Sequence, residues 1–97
     1  MLDHLKPPLP QFTRTEQTCY GCPSQWDAWD ADGNQYYLRF RWGVGTLSLR
    51  GRMVDGEMQY LERGEQIVSF QAGDPYSGII SLEEFLDRAR AALDEEN

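Results

Sequence analysis

The chain has 97 residues, a formal net charge of -7 and a pI near 4.5, with 40% hydrophobic and 12% aromatic side chains. That is one domain's worth of chain with enough apolar material for one core, so neither a metal nor a disulfide framework is needed to hold it. The acidic balance argues against nucleic acid or an anionic membrane as the partner, since both demand a positive field. No apolar run is long enough to cross a bilayer.

Residues 1–18 read as an extended arm. Pro7, Pro8 and Pro10 block a helix and favour a polyproline-like path. Leu2, Leu5, Leu9 and Phe12 offer points of attachment to the domain that follows, residues 19–97. Asp3, His4 and Lys6 near the start do not fit a signal peptide. Without one, the two nearby cysteines imply a reducing, cytoplasmic setting.

Cys19-Tyr-Gly-Cys22 is a CxxC. Such a pair can be half a zinc site, a redox couple or a plain turn. Zinc usually takes four ligands, and the only histidine, His4, lies on the arm. A redox role wants the motif at a helix start, where the thiol pKa falls; here Pro23 and a strand-like run follow. The preferred reading is a structural turn with reduced thiols and no cofactor, and a metal shared between two chains stays open.

Ser24–Ala31 reads as a strand, closed by the turn residues Asp32-Gly33-Asn34. Trp26 and Trp29 are three apart and must face opposite ways. A calcium loop is set aside, because alignment on Gly33 puts Ala28 and Arg39 where acidic ligands belong.

Gln35–Arg50 is the organising hairpin. Tyr36, Leu38, Phe40 and Trp42 alternate with Tyr37, Arg39 and Arg41, and Leu47 and Leu49 alternate with Ser48 and Arg50. A type II′ turn on Gly43-Val44 sets Phe40 opposite Leu47 and Leu38 opposite Leu49, and a slip of one residue would mix the faces. The strand from Thr46 to Val54 meets Asp55-Gly56, a strong hairpin signal, which sets Met53 opposite Met58 and Gly51 opposite Tyr60. Arg63-Gly64-Glu65 reads as a further turn between a strand at 57–62 and one at 66–71. Ser81 and Glu84 form a capping box before a helix whose Leu82, Phe85, Leu86, Ala89 and Leu93 share one face. The expected fold is α+β, a five-stranded antiparallel meander with one C-terminal helix on one face.

No catalytic set is visible: a histidine base would have to come from the arm, and there is no phosphate-binding glycine loop. What stands out is the sheet face away from the helix, expected to carry Tyr37, Arg39, Arg41, Arg50 and Arg52 with one tryptophan, taken as Trp29. Aromatic and arginine side chains are enriched at protein interfaces. The ordinary explanation is that Asp27, Asp30 or Glu62 neutralises the row.

Cys22-Pro-Ser-Gln-Trp, then Tyr36-Tyr-Leu-Arg-Phe-Arg, then Ile80-Ser-Leu82 resembles a group of small actinobacterial and phage proteins of no established activity. The resemblance covers about residues 19–86 and implies a small cytoplasmic or phage-encoded protein with the Cys-Pro-Ser-Gln-Trp segment as framework; no site residues come with it. The expected function is a small acidic, non-enzymatic interaction module that binds a protein partner, such as a host factor. The alternative is a ligand-binding protein, a metal-binding protein or an enzyme using Cys19 and Cys22.

Overall fold

Alternation of apolar and polar side chains gives each strand one face to bury, and the sheet is built from that alternation. The computed structural model describes residues 9–19, 24–73 and 78–96. The elements run β1 (Phe12–Cys19), β2 (Ser24–Asp30), β3 (Gln35–Arg41), β4 (Val44–Val54), β5 (Glu57–Gln71) and α1 (Leu82–Glu96). All strand pairs are antiparallel, in the order β1-β2-β3-β4-β5. With α1 packed against the sheet, this is the α+β architecture expected.

The five strands are not the five expected ones. Residues 12–18, read as part of the arm, lie in β1, which pairs with β2 at the sheet edge. The helix-blocking prolines stop at Pro10, and Phe12, Thr13, Thr15 and Thr18 are residues that suit an extended strand. Conversely, residues 57–71 form one strand rather than two. Gly64 takes a left-handed φ of 66°, as a turn residue would. Yet β5 continues along the same partner: Tyr60 pairs with Gly51 and Glu65 with Leu49. The glycine therefore serves a bulge, in which extra β5 residues oppose one residue of β4.

The organising hairpin closes one step earlier than a type II′ turn would. Its turn residues are Trp42 and Gly43, with φ of 58° and 71°, the left-handed pair that a type I′ turn needs. Phe40 thus faces Gly45, Leu38 faces Leu47 and Tyr36 faces Leu49. Gly45 explains the choice. A β-carbon there would overlap the ring of Phe70, which stacks near Phe40 at 6.3 Å between centroids. The change moves the register by two positions, so the faces survive. Trp42 alone leaves the core side and stands 56% exposed in the turn.

Asp55-Gly56 makes the expected hairpin, with φ of 51° and 82°, and pairs Met53 with Met58. It does not extend the core face. Arg50 is an extra residue between the Tyr36–Leu49 and Gln35–Gly51 pairs. That bulge reverses the alternation, so Gly51 joins Gln35 on the outer side. Met58 and Tyr60 lie where a Gly51 side chain would project, and Tyr60 is 67% exposed.

The core fills the space between α1 and the inner face. Trp26, Ala28, Leu38, Phe40, Leu47, Leu49, Val68 and Phe70 meet Phe85, Ala89 and Leu93 there. Phe85 packs edge-on against Phe70 at 4.9 Å and Trp26 at 5.8 Å. The backbone amide of Glu84 donates to Ser81 Oγ at 3.1 Å, capping α1. Buried Ser24 ties the start of β2 to the approach to α1: its amide donates to Gly78 O at 2.8 Å, and Ile80 N donates to its Oγ at 3.3 Å.

Candidate binding face

No described element covers the outer face of the sheet, and its residues follow from strand parity. On β3 the outward positions are Tyr37, Arg39 and Arg41. Across from them β2 contributes Asp27 beside Tyr37, Gln25 beside Arg39 and Trp29 beside Gln35. On the other flank β4 contributes Ser48 beside Tyr37, Thr46 beside Arg39 and Val44 beside Arg41. β1 adds Arg14, opposite Trp29, and Glu16, opposite Asp27. Of the two tryptophans in β2, Trp26 is the buried one, at 3% exposure, and Trp29 is on this face.

Aromatic rings, rather than carboxylates, hold the arginines here. Arg14 lies over Trp29 at 3.8 Å, Arg50 over Tyr37 at 4.5 Å and Arg41 over Trp42 at 5.2 Å. Arg39 is half-buried, and its Nε is enclosed without a hydrogen-bond partner. Among the described residues, none of these four arginines has an ion pair. The helix arginines differ: Arg88 pairs with Glu84 at 2.9 Å and Arg90 with Asp87 at 3.3 Å.

The carboxylates expected to neutralise the row do not do so. Asp30 is taken up by the β2–β3 turn, where it accepts from Asp32 N and Asn34 N at 3.0 Å, from Asn34 Nδ2 at 3.1 Å and from the Tyr36 hydroxyl at 2.9 Å. Asp27 and Glu62 form no ion pair with the row among the described residues.

Arg52, expected in the row, is on the other side of the sheet. The Arg50 bulge turns it towards the helix side, where it meets Glu65 at 3.1 Å. Of the expected face, Trp29, Tyr37, Arg39, Arg41 and Arg50 come together and Arg52 does not. The sequence reading missed Arg14, hidden in the supposed arm, and Tyr60 and Trp42, assigned to the core. For Arg14 the signal was the run of threonines around it. Beside Arg50, the β5 bulge leaves a recess of about 210 Å³, walled by Tyr37, Ser48, Leu61 and Arg63.

The helix side of the sheet holds a larger cleft of about 620 Å³, bordered by Pro10, Asp30, Tyr36, Glu65, Ile67 and Leu93. Burial, reinforced by the hydrogen bond to Asp30, pushes the Tyr36 phenol up to about 12. For Asp30, burial alone would raise the carboxyl. The hydrogen bonds from Tyr36, Asn34 and Asp32 together outweigh it and hold it below its ordinary range. This is a fastened turn, with every partner supplied by the chain.

Cys19 ends β1 as a half-buried free thiol, and Cys22 lies outside the described residues. Among the described residues no three metal-ligating side chains gather, and no helix is long and apolar enough to cross a membrane. No protein-family model matches this chain, and neither a curated protein nor a solved structure is significantly similar to it.

Proposed function

We propose that this protein is a small, non-enzymatic interaction module that docks a protein partner on the outer face of its sheet. One observation carries the reading. In a chain of net charge -7, four of the 9 basic residues share one sheet face that no described element covers; three of them, Arg14, Arg41 and Arg50, lie over aromatic rings, and none of the four is paired with a carboxylate among the described residues. Like charges on neighbouring strands repel, and nothing in folding asks for them there. Tyrosine, tryptophan and arginine are the side chains on which interface energy concentrates. Trp29, Tyr37, Arg39, Arg41 and Arg50 form the docking set, with Arg14 and Tyr60 at its border. An accessory role in the cytoplasm, as the resemblance to actinobacterial and phage proteins implies, belongs to the same proposal.

The test is a double substitution, Arg41→Ser with Arg50→Ser, read by affinity capture from lysate and by thermal melting. Both side chains are exposed, and the stacking lost is worth about 0.5–1 kcal/mol for each at such sites. The melting temperature should fall by roughly 5–15 °C, as ~1–2 kcal/mol does in a domain of this size, with the fold intact, while capture of the partner disappears. Capture that survives the double substitution moves the binding site off this face, and collapse of the fold makes the row structural.

A further inference from the structure

Resting on that reading, we infer that the partner presents an extended acidic segment, laid along the outer row of β3 with its alternate carboxylates on Arg39 and Arg41. Charge gives the first argument. The docking row is cationic, and the chain's own carboxylates nearest to it are elsewhere engaged or leave it unpaired. The complement is therefore anionic. Net charge of the whole molecule restricts the kind of anion. A chain at -7 repels a polyanion at long range. A short acidic stretch of polypeptide meets the local field with little of that opposition.

Guanidinium geometry gives the second. A guanidinium stacked on a ring uses its flat face and keeps its N–H donors at the edge, where they match a carboxylate in bidentate fashion. Arg41 lies over the Trp42 ring at 5.2 Å and Arg50 over Tyr37 at 4.5 Å, and among the described residues no carboxylate takes up the N–H donors of either. Arg39 lacks a ring contact among the described residues, but its Nε is already enclosed and unsatisfied. A buried charged donor without a partner is costly, and a carboxylate arriving over Arg39 would reorganise that side chain into a satisfied pair.

Spacing gives the third. Residues two apart on a strand stand ~7 Å apart on one face. Arg39 and Arg41 therefore match carboxylates at positions i and i+2 of another extended chain. The path is limited to β3 and β4. On the β1–β2 side Glu16 faces Asp27, and those carboxylates repel an acidic segment that strays across. On the β4 side the flanking positions are Thr46 and Ser48, neutral and able to hydrogen-bond.

The experiment uses the full chain and four labelled probes in fluorescence anisotropy: a peptide alternating Glu and Ser, a peptide with the same number of glutamates at every third position, the Gln version of the alternating peptide, and a single-stranded oligothymidylate. The alternating acidic peptide should bind most tightly, weaken as salt rises, and lose about tenfold or more in Arg39→Gln and again in Arg41→Gln. Arg39→Lys keeps the charge and removes the fork, so it should lose nearly as much as the Gln variant. Arg88→Gln on the helix should leave binding unchanged. Equal binding by the peptide with glutamates at every third position would overturn the alignment along β3. Binding by no peptide, while Arg41→Ser with Arg50→Ser still abolishes partner capture, overturns the acidic segment and leaves the docking face standing. Preference for the oligothymidylate overturns both.

Discussion

A β-carbon added at Gly45 would overlap the ring of Phe70, which has Phe85 edge-on beside it and Phe40 stacked near it. The ring has little room to retreat, because each neighbour is itself packed. Gly45→Ala should cost about 1–3 kcal/mol as an overpacked core, and a denaturant titration that shows no loss would mean the ring can swing aside. Tyr36 and Asp30 make a second residue-scale case, in which pH is the probe. Tyr36 is held up to about 12, so its contribution is complete below the ordinary phenol value near ~10 and is lost as pH rises through the folded value. Asp30 is held low. Its contribution is complete above the ordinary carboxylate value near ~3.9 and is lost as pH falls through the folded one. Tyr36→Phe removes the 2.9 Å bond that couples them. It should cost about 1.5–3 kcal/mol at neutral pH, as a bond to a charged acceptor does. The gap between wild type and variant should narrow when unfolding is followed from pH 9 towards 12. A gap independent of pH would show that the bond does not set the phenol's affinity for its proton.

At the scale of elements, the bulges decide what the strands present. Gly64 adopts a φ of 66°, and a β-carbon there would meet Leu49 O at 3.3 Å. Gly64→Ala should therefore lose about 1–2 kcal/mol from left-handed strain, more than Gly56→Ala, where the φ is 82° but nothing lies within 4 Å. Equal losses at the two sites would mean that the β4 carbonyl yields freely. Both bulges also mark where the sequence stopped being legible. Period-two alternation shows the faces of β3 and the first half of β4, which alternate cleanly between buried and outward positions there, whereas in β2 it leaves open which of Trp26 and Trp29 points inward, because the length of the loop before β3 is not fixed by the sequence. Gly64 was legible as a break but not as a bulge: a turn and a bulge ask for the same left-handed backbone, and only the partner strand tells them apart. The bulge at Arg50 has no glycine to announce it. Arg52 was thus placed on the outer face by an alternation that had already reversed. The hairpin turn was misread because a tryptophan at positive φ runs against residue preference. Its true position depends on Phe70, more than twenty residues away, finding space over Gly45.

The described residues form a single sheet with a single helix, and the two sides of that sheet have different tasks. Helix α1 closes the core on one side, while no described element covers the other side of the sheet. Phe85 is the side chain on which closure depends most, because it alone joins α1 by ring contacts to both Trp26 of β2 and Phe70 of β5, and it is fully buried. Ser24 fastens the same corner through Ile80 and Gly78. A domain of this size holds about 5–15 kcal/mol of net stability, and truncating a buried phenylalanine costs about 3–5 kcal/mol. Phe85→Ala should therefore bring the protein close to the edge of unfolding at 37 °C and blur the near-ultraviolet signal of Trp26. The outer arginines should behave in the opposite way. Arg41→Ser changes the charge and packing of a side that no described element covers, so its loss should be no more than about 1 kcal/mol, the value of the exposed contact with Trp42. Measured side by side in denaturant, the two variants separate the closing side from the presenting side. A small loss at Phe85 together with a large one at Arg41 would invert the assignment and place the stabilising contacts on the open face.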